Sequence, residues 1–283
     1  MKKNFVIALV AIVAAMTLNA QNEVQPYLPV DQLPDLIKCL PAPPAFDSPE
    51  FANDMMRFSW GKQQRLDPER AAIAKRDAVW SYEALLAEFD VPFGLHISPE
   101  GTPEIWKLMV TSLTTTDAMR VAPKAYYKRQ RPFERFEDKM LTDEEDELRG
   151  EGSYPSGHTM RGWTAALLLA EVNPAAADTI FARGWMYGES RVIVGAHWQS
   201  DVDASRVAAS IGVCALHGSA EFREQMAKAQ AEYLEKTGQT MGVAEVAPAV
   251  PATDGQSYRI DGIKATDDTR GIIIRNGKKI LRN

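Results

Sequence analysis

Apolar residues in the central part of the chain recur every three or four positions, which is the spacing of one face of an α-helix. The pattern begins where Asp67, an N-capping residue, precedes Pro68, and it continues through Ala71 to Phe89. Further helices are predicted over 103–121, 156–172, 175–194, 201–217 and 220–236, the last of them polar. Since no alternating strand pattern precedes residue 255, we predict an all-α main domain of residues 21–237.

The last part of the chain has a different pattern. Residues 238–256 are poor in large apolar side chains and rich in Ala, Pro and Gly, which is typical of a linker. Beyond it, the β-prone runs 272–275 and 278–281 flank Asn276-Gly277, a dipeptide that favours a two-residue hairpin turn. We therefore predict a small β-hairpin within residues 257–283. This segment resembles the short sorting tails of some exported Gram-negative proteins; an edge hairpin on the main domain is the other interpretation.

The N-terminus has the pattern of a secretory signal. Lys2 and Lys3 precede a twelve-residue apolar run, 5–16, and Ala20 supplies a small residue at a cleavage point. The run is too short to span a bilayer as a helix, although an N-terminal membrane anchor is the competing interpretation. No later stretch reaches 18 uninterrupted apolar residues, so we expect no stable membrane embedding. Residues 1–20 are thus predicted to be a signal peptide, and the mature protein to be periplasmic or secreted.

Composition and charge narrow the function classes. The 283 residues are 45% hydrophobic and 25% charged, as in an ordinary globular protein, which excludes a disordered or collagenous chain. There are 32 basic and 38 acidic residues, or 30 and 38 without Lys2 and Lys3, for net charges of -6 and -8. This balance argues against nucleic acid as a partner, so any anion site must be a local cluster of cations. The acidic segment 134–151 is interpreted as a solvated loop.

The two cysteines give little information about function. Cys39 and Cys214 are far apart in the sequence and form neither a CxxC pair nor a zinc-binding spacing. Their pairing stays open, although a free thiol buried in an apolar helix is the favoured interpretation of Cys214. We expect no metal and no other cofactor.

Three clusters of residues carry chemistry in combination. The first has the form K-x6-RP and contains Lys124 and Arg131; the second is the PSGH tetrapeptide, 155–158; the third has the form SR-x5-H-x3-D and covers 190–201. Taken singly, each has a structural interpretation: solvated charges, a turn with an N-capping serine, and a hydrogen bond at a helix start. Together they contain two of the four histidines of the chain.

The combination indicates a phosphate site. Ser156 and Gly157 open a helix, where backbone N–H groups and the positive end of the helix dipole favour an anion. Gly157 has no Cβ, so an anion can approach the backbone. Lys124, Arg131 and Arg191 would add positive charge, and guanidinium groups suit phosphate oxygens.

Two histidines at a phosphate site predict phosphoryl transfer. Histidine nitrogen can attack phosphorus directly, and Asp201 is near enough in sequence to accept the other ring N–H of His197. His158 would then protonate the leaving alkoxide as a general acid. The residues alone favour His197 over His158 as nucleophile without deciding between them.

The three motifs, in this order and with these gaps, resemble the signature of the type 2 phosphatidic acid phosphatase and vanadium haloperoxidase superfamily. The segments GSYPSGHT and GESRVIVGAHWQSDVDASR resemble the corresponding sequences of the bacterial class A non-specific acid phosphatases. This resemblance implies a helical fold and a phosphohistidine intermediate. It assigns the nucleophile, general acid and orienting residue to His197, His158 and Asp201, and phosphate binding to Lys124, Arg131, Ser156, Gly157 and Arg191.

We therefore expect an exported, metal-independent acid phosphatase that acts on soluble phosphomonoesters. A lipid phosphate phosphatase, a vanadate-dependent haloperoxidase and a non-enzymatic phosphate-binding protein are the alternatives. The two histidines discriminate against the last, because binding alone requires neither a nucleophile nor a proton donor. The preferred ester, any phosphotransfer to alcohols and assembly into a homo-oligomer stay open.

Overall fold

A computed structural model describes residues 24–238, 256–259, 264–266, 270–275 and 278–282. The predicted signal peptide and nearly all of the predicted linker lie outside these residues. The chain divides into two units, one ending at Thr237 and the other beginning at Gly238.

Every regular element among the described residues of the first unit is a helix, which confirms the predicted all-α class. Short 3-10 helices occupy Val30–Gln32, Ala118–Arg120 and Pro174–Ala176. The α-helices are α1 Leu36–Cys39, α2 Phe51–Gln64, α3 Pro68–Arg76, α4 Tyr82–Ala87, α5 Asp90–Phe93, α6 Pro103–Asp117, α7 Val121–Tyr127, α8 Pro132–Phe136, α9 Glu145–Leu148, α10 Gly157–Val172, α11 Ala177–Ile193, α12 Gln199–Leu216 and α13 Ala220–Thr237.

Helix α10 forms the centre of this unit. Its residues are buried on most sides, as expected of a helix that is apolar all round, and it packs against α6, α11 and α12. A Cβ at Gly162 would lie only 2.5 Å from Cδ1 of Tyr187, so the absent side chain allows α10 and α11 to approach closely. The helix that carries the PSGH motif is therefore held in the core, and its N-terminal end is fixed in position.

The segment around residues 51–89 differs from the sequence prediction. Helix α2 was not predicted, because its buried positions are Phe51, Asp54 and Gly61, of which only one is a large apolar residue. The prediction of a single helix from Asp67 to Phe89 is also wrong. It is interrupted at 77–81 between α3 and α4, and Ser81 caps the second helix by accepting from the backbone N–H of Ala84 at 3.0 Å.

Both cysteines are free and exposed, so the prediction of a buried Cys214 is wrong. Cys214 belongs to the amphipathic helix α12, where its neighbour Val213 faces the core and the thiol does not. Among the described helices, none combines the length and the apolar character that crossing a membrane requires.

The second unit contains a small antiparallel sheet. Strands β2 (Gly271–Arg275) and β3 (Lys278–Arg282) pair with Arg275 opposite Lys278, which confirms the predicted hairpin and its two-residue connection. A third strand, β1 (Ser257–Arg259), pairs with the other edge of β2 and was not predicted. The sheet order is β1-β2-β3.

Candidate active site

A pocket of about 230 Å³ opens at the N-terminal end of α10, where several predicted site residues meet. It is lined by cationic, acidic, imidazole and aromatic side chains together with one leucine and one glycine. These residues are Trp80, Arg120, Lys124, Arg131, Glu144, Glu147, Leu148, Glu151, Gly157, His158, Arg191 and His197. Ser156 and Asp201 are fully buried and lie outside this lining. The structure thus places six of the eight predicted site residues on one cavity.

The start of α10 is shaped by Ser156 and Gly157. The Ser156 hydroxyl accepts from the backbone N–H of Thr159 at 3.3 Å and so caps the helix. A Cβ at Gly157 would lie 2.9 Å from Cδ of Arg120 and 3.3 Å from Cη2 of Trp80. The glycine thus allows these two side chains to pack against the first turn of the helix.

His197 is buried, and its two ring nitrogens face different partners. Nε2 lies 3.1 Å from Nη1 of Arg131, which can only donate, so Nε2 must be an unprotonated acceptor and the proton is on Nδ1. Nδ1 lies 3.4 Å from Oδ2 of Asp201, within ion-pair distance but without the alignment of a hydrogen bond. Burial, followed by the charges of Arg131, Lys124 and Arg191, holds the pKa of His197 well below its usual value. The ring is therefore neutral and carries a lone pair on Nε2.

Asp201 is held in place by a buried ionic network. Its Oδ2 accepts from the backbone N–H of Trp198 at 2.9 Å, and its Oδ1 accepts from Nη1 of Arg129 at 2.5 Å. The same guanidinium donates through Nη2 to Asp54 at 2.8 Å. Asp54 and Asp201 are almost inaccessible to solvent, so Arg129 is the cation that compensates two buried carboxylates.

His158 lies on the side of the pocket formed by the interruption at 77–81. Its Nε2 lies 3.0 Å from the backbone carbonyl of Ala78, which can only accept, so Nε2 carries the proton and Nδ1 is unprotonated. Its ring packs edge-to-face on Trp80, with centroids 4.5 Å apart. Burial, and then the charges of Arg191 and His197, lower the pKa of His158 far below its ordinary range.

Three predicted cations are buried around the two histidines. Arg191 and Arg131 are 0% and 1% exposed, and Lys124 is 7% exposed. Burial, and after it the nearby charge of Arg131, lowers the pKa of Lys124 to about 7. Burial also lowers the pKa of Arg131 to about 10, so this guanidinium stays charged at neutral pH. A cavity with this much buried positive charge is suited to an anion.

The acidic segment 134–151 is more than the solvated loop that its composition predicted. It contains α9 and most of α8, and several of its carboxylates line the pocket. Glu144 pairs with both terminal nitrogens of Arg191, at 3.1 and 3.3 Å. Glu151 lies 3.2 Å from Nη2 of Arg131. These pairs were missed because an acidic run carries no signal for which of its members turn inward.

Other residues of the site were also absent from the sequence prediction. Arg129 stands two residues before Arg131 in the first motif, so its position in that cluster was the available signal. Asp54 and Trp80 had no such signal in the sequence, since they lie outside all three motifs. Within the described residues, no group of three or more His, Cys, Asp or Glu side chains is arranged to hold a metal ion.

Comparisons with known proteins find relatives of this chain among the phosphatases. Residues 105–223 match the family model of the PAP2 superfamily. A non-specific acid phosphatase of Providencia stuartii is 40% identical over 209 residues, covering 73% of this chain and 84% of the relative. Another, from Salmonella typhimurium, is 36% identical over 238 residues, covering 83% and 94%. An acid phosphatase of Zymomonas mobilis is 37% identical over 203 residues, covering 71% and 76%.

Among solved structures, a transmembrane PAP2-type phosphatidylglycerolphosphate phosphatase from Bacillus subtilis is similar at a TM-score of 0.31. It is 18% identical and covers 58% of this chain and 91% of its own. The family of this chain follows from the identity and coverage of the sequence relatives. The resemblance seen in the three motifs is thus confirmed: this chain belongs to the PAP2 superfamily, in the family of the non-specific acid phosphatases.

Proposed function

We propose that this acid phosphatase hydrolyses soluble phosphomonoesters through a phosphohistidine formed on His197. The observation that carries the proposal is the meeting of His158 and His197 with three buried cations in one pocket. Phosphoryl transfer spreads negative charge over three equatorial oxygens, and fixed positive groups in a partly desolvated cavity stabilise that charge.

In the first step, the lone pair on Nε2 of His197 attacks phosphorus and the bond to the leaving oxygen breaks. The Nδ1 proton stays in place, so the ring becomes an imidazolium beside Asp201. The 3.4 Å distance is long for a hydrogen bond, and such contacts often tighten only when substrate is bound. Asp201 thus favours the charged form of the ring in the intermediate. Arg131 would donate its hydrogen bond to a phosphate oxygen in place of Nε2 of His197.

His158 is proposed to protonate the leaving oxygen in the first step. It would donate from Nδ1, since Nε2 faces the carbonyl of Ala78. In the second step a water attacks phosphorus, the bond to Nε2 of His197 breaks, and the now neutral His158 accepts a proton from that water. The products are the alcohol and inorganic phosphate, and both histidines return to their starting protonation states.

The environment of His158 supports activity at acidic pH. Because burial and neighbouring positive charge lower its pKa, the ring is protonated in the free enzyme only in acid. A bound phosphate ester adds negative charge and favours the protonated ring. We therefore expect kcat/KM for an aryl phosphate to fall as the pH rises from acidic to neutral.

The test is replacement of His197 by Ala with a chromogenic aryl phosphate as substrate. Loss of the nucleophile should lower kcat by at least roughly 10³-fold. Wild-type enzyme quenched in base, where phosphohistidine survives, should carry the phosphoryl group on the peptide containing residue 197. Activity should persist with a chelator and fall with vanadate.

His96 offers a matched control, because it is an exposed histidine paired with Asp90 at 2.6 Å, outside the pocket lining. Its Ala variant should retain turnover. A His197→Ala variant that keeps wild-type kcat removes this residue as the nucleophile. Binding of phosphate by the wild-type protein without any turnover would instead favour the phosphate-binding protein. Turnover confined to lipid phosphates would favour the lipid phosphatase.

We also propose that the protein is exported, on the support of the N-terminal pattern of two lysines, a short apolar run and Ala20. Expression of the full chain in a Gram-negative host, cell fractionation and N-terminal sequencing test this. The expected product begins at residue 21 and appears outside the inner membrane. Uncleaved protein in the membrane fraction would favour the anchor interpretation.

A further inference from the structure

Glu144 is bound to one of the cations proposed to hold phosphate. Its two carboxylate oxygens accept from Nη1 and Nη2 of Arg191 at 3.3 and 3.1 Å, in the bidentate arrangement that guanidinium also forms with phosphate. The hydroxyl of Thr142 donates to the same carboxylate at 2.6 Å and fixes its orientation. Arg191 is fully buried, so its charged end is covered in this state.

Glu151 makes the corresponding contacts on the other side of the pocket. One carboxylate oxygen lies 3.2 Å from Arg131, and the other lies 3.5 Å from Arg120 and 3.9 Å from Lys124. The Glu151 side chain is 43% exposed, so it has room to turn towards solvent. Both carboxylates belong to a single segment and contact cations that line a single cavity.

A phosphate cannot adopt the bidentate arrangement on Arg191 while Glu144 occupies it. The third nitrogen of the guanidinium, Nε, is buried and has no hydrogen-bond partner within the described residues. A ligand must therefore displace the carboxylate to bind both terminal nitrogens in this way.

We propose that Glu144, assisted by Glu151, is a built-in competitor of phosphate whose return to Arg191 weakens the binding of the product. The inference rests on the proposed function, since it assumes that Arg191 binds the phosphoryl group. Without such a competitor, a dianion beside four cations would dissociate slowly. With it, each phosphate that leaves is replaced by a carboxylate of the protein itself, and the cations stay paired throughout.

The test compares Glu144→Gln with Asp146→Asn. Asp146 is an exposed residue of α9, only two positions away and outside the pocket lining, so its variant removes the same charge from the same segment. The readouts are the competitive inhibition constant of inorganic phosphate in turnover and its dissociation constant by calorimetry. Glu144→Gln should bind phosphate about five- to tenfold more tightly, the difference between a charge-assisted and a neutral hydrogen bond, whereas Asp146→Asn should stay within about twofold.

Thr142→Val provides a second variant, should Glu144→Gln fold poorly. It removes the hydroxyl that holds the carboxylate and should strengthen phosphate binding in the same direction by a smaller factor. Unchanged affinity in both variants overturns the inference and leaves the phosphatase proposal intact. Weaker binding in Glu144→Gln also overturns it, because Glu144 would then orient Arg191 for phosphate. Wild-type enzyme that neither binds phosphate nor turns over refutes the proposed function and this inference with it.

Discussion

Replacement of Arg129 by Met tests the ionic network that holds Asp201 beside the proposed nucleophile, His197. Met has a similar length and no charge, so the substitution keeps the volume and removes the cation. Arg129 is 6% exposed and donates to Asp201, to Asp54 and to the hydroxyl of Ser200 at 2.5, 2.8 and 2.7 Å. Its loss leaves two buried carboxylates without the guanidinium that pairs with both.

The size of the effect follows from that burial. Breaking a buried ion pair by removing one partner typically costs about 3–5 kcal/mol of unfolding free energy. A carboxylate can avoid this penalty by taking up a proton. With an ordinary pKa of about 3.9, protonation of an aspartate costs about 4 kcal/mol at pH 7 and about 1.5 kcal/mol at pH 5. The destabilisation should therefore be about 3–5 kcal/mol at pH 7 and should shrink markedly at pH 5.

Urea unfolding at both pH values measures this difference, and steady-state kinetics measures the functional consequence. Because Asp201 would lose one of the contacts that hold it beside His197, kcat should fall while KM changes less. Asp54→Asn combined with Arg129→Met removes one of the two stranded charges and should recover part of the lost stability. A loss under about 1 kcal/mol at pH 7, or a loss that does not change with pH, would show that the carboxylates are not stranded and refute the reasoning.

Three further effects follow from burial and packing. Because the pKa of Lys124 is lowered to about 7, binding of sulfate, which is a dianion at these pH values, should weaken as the pH rises above 7. The Lys124→Arg variant should not show that weakening. If the variant still shows it, Lys124 is not its cause. Because the folded-state pKa values of His158 and His197 are depressed, the unfolded chain binds more protons below about pH 6.5. As the pH is lowered through this range, the free energy of unfolding should then fall by up to about 1.4 kcal/mol per pH unit for each histidine. Urea titrations of the His→Gln variants at several pH values should show a shallower dependence of the unfolding free energy on pH. Gly162→Ala should lower the unfolding free energy by about 1–3 kcal/mol, because the new Cβ overlaps Tyr187; a raised Tm, as for an exposed helical glycine, would contradict this packing.

An apolar buried face makes a helix predictable from the sequence. The predicted helix over 156–172 agrees with α10 to within one residue, because nearly every position of α10 faces other helices and is apolar or small. Helix α2 shows the opposite case, since a buried aspartate and a glycine occupy the face that should have been apolar. Asp54 is inside because Arg129 is there to pair with it, and that partner is 75 residues away in the chain.

The candidate site was predictable where its residues belong to short motifs. Lys124, Arg131, His158, Arg191 and His197 meet in one cavity, as their motifs indicated. The residues that contact them across the fold could not be found in this way, because a long-range ion pair leaves no periodicity or local spacing in the sequence. The inward-facing carboxylates of the acidic segment are the main example.

The interruption at 77–81 makes the peptide backbone itself the partner of His158, the proposed general acid. The acceptor of the His158 proton is the carbonyl of Ala78, and no exchange of side chains can delete a carbonyl. The neighbouring Asp77 anchors this stretch to Ser190, 113 positions along the chain, with an oxygen–oxygen distance of 2.6 Å. A point substitution of the exposed Val79 should thus be tolerated by the acid–base chemistry better than a one-residue insertion or deletion, which would carry the carbonyl away from the ring.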